Sequence, residues 1–394
     1  MTIKRLVAIA VILLCTAVAW MILGTSLLVR SATSSQFLSR AVADAWGPLM
    51  TQQHPVIYFI SPSAANGRKL IQPSKSDVNV ALKYEPKKKG LLWYRTYAVD
   101  FRGSYDVRNP TPVTQTIYVK FQFPAAEASY QDFSFVLNGV RSTENNKASE
   151  GITEAVTLAP NETAQFVVAY KSRGTDRWGY SFGDTTRVNN FQLAMTTDFR
   201  DIDFPAATGS PTARQRDGDG WRLTWSYPDV IGAQPIGMEM PAVLNPGPVA
   251  SRISFFAPIS LLFYFAVLLI MCTVQRVNLH PMNYFFLAAG FFAFQLLFAY
   301  LVDLIPLHLA FVISAAVSLV LVSGYLFVAV GRHFARMAAA AQFAYMVLFS
   351  YSFFFDGLTG LTITIGAIIT LALLMVTTAR IDWSEKFGTA PAAI

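Results

Sequence analysis

The sequence predicts a polytopic α-helical membrane protein of six transmembrane helices with an inserted, extracytoplasmic, all-β sandwich-like domain. Three observations predict it. First, residues 253–383 are almost wholly apolar, and polar breaks at 275–283, 303–308, 331–336 and 356–359 divide them into five segments of about 19–22 residues. At ~1.5 Å of rise per residue, each segment makes ~28–33 Å of helix, the thickness of a bilayer core. Second, a further apolar run of about 24 residues spans 6–29. Third, residues 56–240 change to the alternating, aromatic and β-branched pattern of strands.

The totals agree with this division. Only 14% of the 394 residues are charged and the mean hydropathy is +0.40, against about 25% charged in a soluble protein. The deficit lies in the last third and the first thirty residues. The formal charge of +7 also divides by region: residues 30–252 hold 24 Lys/Arg and 20 Asp/Glu. The basic excess is therefore partly a topology signal and makes no case for nucleic acid as a partner. Both cysteines, Cys15 and Cys272, fall in apolar segments. The β domain has none, so its own core must stabilise it without disulfides.

The elements follow in order. Residues 1–30 form an anchor: a short basic start (Lys4, Arg5), then the apolar run, ending at Arg30. The run exceeds the ~7–15 residues of a signal-peptide core and lacks a small-residue cleavage site, so an uncleaved helix entering from the cytoplasm is expected. Residues 31–55 are a helical or loop linker, Ser/Ala-rich at first and ended by Trp46, Pro48 and His54-Pro55. Residues 56–244 are the β domain. Strands are expected at 91–106, 114–123, 133–140 (ending in an Asn-Gly turn), 152–158, 163–170, 190–196, 220–227 and 236–240. Eight or so short strands without a helical period argue for an antiparallel sandwich. Residues 173–191 mix aromatic and charged residues and read as a long loop, and Asn245-Pro246-Gly247-Pro248 reads as a stiff linker. The bundle, 253–383, has helices at 253–274, 284–302, 309–330, 337–355 and 358–378, followed by a cytoplasmic tail, 384–394.

Charge sets the orientation. Arg276, Arg332, Arg336, Arg380 and Lys386 fall on one side with Lys4 and Arg5, while the two short loops on the other side carry Asp303 and Asp356. Both termini are then cytoplasmic and the β domain is exterior. Arg30 and Arg252 oppose the rule, but they border a long translocated domain, where it counts for less.

Candidate chemistry is sparse. The four histidines fall on opposite sides of this topology, His280 and His333 inside and His54 and His308 outside, so no metal site collects three of them. Asp217-Gly218-Asp219-Gly220 resembles the start of a calcium loop but lacks the downstream glutamate, and a hairpin turn is the ordinary reading. Asp198, Asp201 and Asp203 also cluster in sequence. Lys87-Lys88-Lys89 reads as a solvated turn between Pro86 and Gly90. No nucleophile lies beside a base in any known pattern, and no phosphate loop or dinucleotide fingerprint occurs. Catalytic residues, cofactors and metal ligands are therefore expected to be absent. In the bundle no ionisable residue falls at mid-membrane. Gln295, Ser314, Ser318, Ser323, Gln342, Thr362, Thr364 and Thr370 read first as close-packing residues, and as a polar path only in a transporter. Asp303, His308 and Asp356 share the outer boundary, where they make a candidate polar cluster. The ordinary reading is loop polarity at the interface.

Leu279-His280-Pro281-Met282-Asn283-Tyr284 resembles a Leu-His-Pro-x-x-Tyr helix start in the CreD family of bacterial inner-membrane proteins. The acidic residue expected at the outer end of that helix is matched by Asp303, and a glycine in the last helix by Gly366. A basic residue, an apolar residue and Asp-Trp after that helix are matched by Arg380-Ile381-Asp382-Trp383. The resemblance covers about residues 254–383. Over 30–252 it is one of architecture only, with a domain shorter than the family's usual one. It implies an inner-membrane protein linked with envelope integrity, whose biochemical activity is poorly defined. His280, Pro281, Tyr284, Asp303, His308, Asp356, Arg380, Asp382 and Trp383 are the candidate interaction or structural residues. The expectation is a non-enzymatic scaffold or accessory subunit. Its partners would be membrane lipids and another membrane or envelope protein, or a second copy of itself. The alternatives are a transporter or channel for a small or lipidic solute, and an envelope sensor or ligand-binding protein.

Overall fold

A computed structural model describes residues 3–62, 67–89, 92–143, 147–183, 185, 187–355 and 357–379. Two compact units divide the chain: Met1–Ser35 with Leu244–Ile394, and Gln36–Val243. Helix α1 spans Ile3–Trp46, so the apolar run and the Ser/Ala-rich stretch after it form one helix.

The second unit is built of strands. In chain order they are β1 (Met50–Gln53), β2 (Val56–Ile60), β3 (Arg68–Ile71), β4 (Lys75–Tyr84), β5 (Lys87–Lys89), β6 (Leu92–Tyr94), β7 (Thr96–Arg108), β8 (Gln115–Phe121) and β9 (Gln131–Leu137). They continue as β10 (Val140–Arg141), β11 (Ile152–Leu158), β12 (Thr163–Thr175), β13 (Arg177–Ser181), β14 (Arg187–Thr197), β15 (Ala213–Asp217), β16 (Gly220–Ile231) and β17 (Ile236–Glu239). Among the described residues they form an eight-stranded sheet, β10-β9-β12-β7-β4-β14-β16-β15, and a four-stranded sheet, β11-β8-β2-β3. Smaller sheets are β1-β13-β17 and β5-β6.

Strict alternation explains why these segments are strands. In β7, Tyr97, Val99, Phe101, Tyr105 and Val107 are buried, while Asp100, Arg102 and Arg108 are exposed. The opposing partners stack: Phe101 on Tyr170 and Tyr105 on Phe166, each with ring centroids 4.8 Å apart and each directly in register between β7 and β12. One core takes in the buried face of the large sheet together with Ile57, Ile117, Val119, Phe121, Ile152 and Leu158 of the four-stranded sheet. The Asn-Gly signal holds: Asn138 and Gly139 both have positive φ, at 48° and 82°, and join β9 to β10.

Three expectations are corrected. The stretch 173–191 is not a long loop, because it carries the end of β12, β13 and the start of β14. The pairing is not wholly antiparallel, since β4 pairs parallel with β14 and β1 with β13. Residues 245–248 are not a linker. Asn245 is the N-cap of α2 (Pro246–Val274), and Pro246 occupies the first turn, where its missing N–H leaves no bond unmade.

The other unit continues with α3 (Pro281–Leu301), α4 (Leu307–Ala329) and α5 (Arg332–Gln342). A π-helix (Phe343–Leu348), a short α6 (Phe349–Tyr351) and a 3-10 turn (Ser352–Phe354) follow without a break, and α7 covers Thr359–Thr378. Five helices among the described residues are long and apolar enough to cross a membrane, the fifth being the run Arg332–Phe354, and Gly360–Val376 is a shorter apolar helix. The polar break at 331–336 is thus mostly the first turn of α5.

In α4 the small residues Ala310, Ser314, Ala315 and Ser318 face inward together with Phe311, Val322 and Leu326, while Val312, Val320, Leu321 and Val328 are exposed. Large apolar side chains on the outer face and small residues at the helix contacts are what a lipid solvent selects. Helix α1 packs on α2 in the same way: Ser251 Oγ donates to Gly24 O at 2.8 Å, and a Cβ at Gly24 would lie 3.2 Å from the Phe255 ring.

Phe101 is fully buried at the centre of the β core. Phe101→Ala is expected to cost about 3–5 kcal/mol through lost transfer energy and the cavity it leaves. Denaturant unfolding of the whole protein in detergent, followed by tryptophan fluorescence, measures it.

Candidate functional site

The start of α3 is a clamp built by the predicted motif. His280 is the N-cap, with Nδ1 accepting from the Met282 backbone N–H at 3.3 Å, and Pro281 takes the first helical position. Tyr284, one turn on, is buried, with its ring edge-on to Phe265 at 5.2 Å and its hydroxyl 3.8 Å from Cys272 Sγ. Tyr325 of α4 donates to Asn283 Oδ1 at 3.0 Å. Arg5 of α1 donates to Asn278 Oδ1 and to the Leu279 carbonyl. The motif thus fixes where α3 begins and ties that start to three other helices.

At the far end of α3, Arg30 pairs with Asp303. Arg5 and Arg30 lie 25 positions apart on α1, against 24 between Leu279 and Asp303. At ~1.5 Å per residue both spans are ~36–38 Å, so α1 and α3 run parallel, start to start and end to end. Trp20 of α1 meets Phe292 of α3 between them, with centroids 6.1 Å apart.

Among the described residues, Asp303 and His308 do not bond each other. Asp303 bonds Arg30, whereas His308 stacks on Phe354 (5.2 Å) and approaches Tyr351 (6.1 Å). Asp356, Arg380, Asp382 and Trp383 lie outside the described residues. Gly366 sits on α7 with Phe263 3.7 Å from where its Cβ would be.

In the β unit His54, Asp198, Asp203, Asp217 and Asp219 each have a structural partner. His54 is buried among Tyr105, Tyr180, Phe182 and Phe191. Its Nδ1 lies 2.8 Å from the Tyr180 hydroxyl, which lies 3.1 Å from that of Tyr105. Burial holds the imidazole pKa at about 4 and pushes the Tyr180 phenol well above its usual value. Tyr170 donates to buried Gln52 at 2.9 Å. Asp217 and Asp219 flank and enter the tight turn between β15 and β16, where Asp217 pairs with Arg222 at 3.0 Å and Asp219 with Arg200. That is the hairpin reading. Asp198 accepts from the Tyr84 backbone N–H and Asp203 from that of Phe204, both at 2.8 Å.

Lys87–Lys89 is a correction. It is strand β5, paired with β6, and not a free turn. Lys89 Nζ donates to the Ala41 carbonyl at 2.7 Å, in the last turns of α1, where the helix dipole favours a cation. Lys87 and Arg173 both approach the Trp46 ring, at 4.6 and 5.3 Å. Beside them is a cleft of about 500 Å³, lined among others by Asp44, Trp46, Lys83, Asp100, Lys171 and Arg173. It lies over the outward face of β4, β7 and β12 and carries both signs of charge. The sequence reading missed it, because it joins positions 44, 83, 100 and 171 that only the sheet order brings together.

Two expected outcomes follow from this geometry. The folded His54 ring stays neutral down to about pH 4, while the unfolded ring binds a proton near 6.5, so falling pH favours unfolding. The loss grows from pH ~6.5 to ~4 and reaches on the order of 3 kcal/mol. Melting curves across that window should show this slope, and His54→Gln should flatten it. For the other end of the molecule, Arg30→Gln and Asp303→Asn should be coupled by about 0.2–1 kcal/mol, the range for a half-exposed pair. A double-mutant cycle of thermal unfolding reads that coupling, and additive effects would show that the pair contributes nothing.

Residues 237–384 match the family model described as inner membrane protein CreD. The resemblance carried by the α3 motif thus holds over the helical region, while nearly all of the β unit lies outside the match. No curated protein matches the chain. Among solved structures, a candidate nutrient binding protein from Legionella pneumophila subsp. pneumophila str. Philadelphia 1 is similar at 10% identity and a TM-score of 0.34, over 54% of this chain and 75% of that one. An M1 zinc metallopeptidase mutant from Deinococcus radiodurans, bound to a Tyr-Ser-Ala substrate, is similar at 14% identity and a TM-score of 0.28, over 43% of this chain and 42% of that one. Neither likeness carries a function to this chain.

Proposed function

We propose that this protein is a non-enzymatic accessory or scaffold subunit of the bacterial inner membrane, which acts through its β domain on another envelope or membrane protein. Six helices span the bilayer in this reading, α7 being the sixth, with ~30 Å in its 20 residues. Both termini are cytoplasmic, and the β domain is an exterior two-sheet sandwich. Three facts support the orientation. Arg5 binds the loop that follows Arg276, Arg332 opens α5, and Asp303 lies at the opposite end of α3. This segregation is the positive-inside pattern. The match to an inner-membrane family supports the compartment.

The observation that carries the reading is the cleft beside Trp46. It presents Lys83, Asp100 and Lys171 on the surface, with Lys83 paired to Glu85 at 3.0 Å and Lys171 to Asp132 at 2.9 Å. A surface of mixed charge around an aromatic anchor suits protein recognition better than bond-making chemistry.

Mild-detergent purification of the tagged whole protein from its native membrane should co-isolate one stoichiometric partner. A photo-crosslinker at Gln131, on the cleft wall, should capture the same partner. Lys83→Glu with Lys171→Glu should lower recovery about tenfold without changing the melting temperature by more than a few degrees. A lone species with no crosslink would overturn the reading.

A further inference from the structure

The bundle has a polar interior that the accessory reading does not use. Ser318, at the midpoint of α4, is fully buried and donates to the Gly290 carbonyl of α3 at 2.7 Å. Gln342, the last residue of α5, is also fully buried, and its Nε2 donates to Ser318 Oγ at 3.1 Å. Its Oε1 has no hydrogen-bond partner among the described residues. Gln295, on α3, is 1% exposed, and there both Nε2 and Oε1 are without a partner among them.

These orphaned atoms sit in an unfavourable place for them. Lipid-embedded helices offer no bulk water, and a buried amide without partners is strongly disfavoured against one with them. A glutamine amide has two donors and a twice-accepting oxygen. Water offers two of each and in protein interiors usually makes about three bonds. The backbone at Gln342 is also unusual: the π-helix Phe343–Leu348 begins directly after it, and such π segments recur at functional sites. Met346, within this segment, is fully buried, with Sδ 3.2 Å from Ser318 Oγ and 3.6 Å from Gln342 Nε2.

We propose that Ser318 and Gln342 form an intramembrane hydration site, where water bound at the Gln342 amide is a structural ligand of the bundle beside Met346, and that water likewise meets the buried amide of Gln295 on α3. Water satisfies the amide atoms that the helices leave unpaired. The site is distinct from the β-domain cleft and does not rest on what that cleft binds.

Radiolytic hydroxyl-radical footprinting of the intact protein in nanodiscs tests it. Ionising X-rays generate radicals from water in place, including bound water, and methionine sulfur traps them as sulfoxide. Met195, fully buried in the β core, is the dry reference within the same chain. Met346 should oxidise at least about fivefold faster than Met195, and Gln342→Leu should reduce that rate severalfold. Equal, slow oxidation of the two methionines in the wild type would overturn the proposal without reference to any variant. Gln295→Leu supplies an independent readout. A hydrated glutamine is lost at a cost and the melting temperature falls, whereas a dry, orphaned one is replaced with gain and the temperature rises.

Discussion

The contact on which the bundle depends is the close approach of α3 and α4 at Gly290. A Cβ there would lie 2.5 Å from Val322 Cγ2, and the glycine's carbonyl accepts the Ser318 hydroxyl at 2.7 Å. Lipid tails are as apolar as leucine, so burying leucine between helices gains little. What holds helices together there is dispersion at short range and hydrogen bonds in a low dielectric. Both require small residues, and the inward face of α4 supplies them in Ala310, Ser314, Ala315 and Ser318. The same rule explains Gly24 against Phe255 and Ser251. The arginine clamps at the two ends of α3 then set the axial position of α1, a direction in which apolar packing is nearly indifferent.

The β unit obeys the opposite solvent. Water drives Phe101, Tyr105, Phe166 and Tyr170 into two stacked pairs between β7 and β12. The hydroxyls that go in with them must then find each other. Tyr180, Tyr105 and His54 do so, and Tyr170 finds Gln52. Such groups raise the cost of any alternative packing, because each would lose its partner. His54 is in this sense a packing residue with a polar edge, and its depressed pKa is a consequence of burial.

How much of this was legible follows from the range of each signal. The helices were readable because twenty apolar residues in a row are a local pattern, and the Leu-His-Pro-x-x-Tyr start was readable because capping lies within one turn. The strands 152–158 and 220–227 were readable from alternation, as was the Asn138-Gly139 turn. Strand β4 was not legible: Lys75, Asp77, Asn79 and Lys83 hide a buried set of Ser76, Val78, Val80 and Leu82. Strand β13 was missed because Gly179 and two charged flanks resemble a loop. The parallel pairing of β4 with β14 joins positions more than a hundred residues apart, and no local pattern encodes it. At the candidate sites the same limit applies. His280 and Pro281 were found, whereas their tie to Arg5 and the role of Arg30 were not. Arg30 did leave a trace as a basic residue on the side where the charge rule expects none, and its partner Asp303 accounts for it.

That trace points to a general constraint on this molecule. A charge or amide placed against its solvent's preference persists only with a partner. On α1 that partner is a carboxylate, and at Trp46 it is a pair of cations over a ring. Gln295 and Gln342 break the pattern, for they are the side chains whose amide atoms the described residues leave unpaired in the interior of the bundle. If packing alone had shaped this seam, alanine or leucine would fill both positions with nothing lost. Two buried glutamines, one of them directly before a π-helix, therefore imply a ligand that hydrogen-bonds and carries no charge, because no charged partner lies beside either among the described residues.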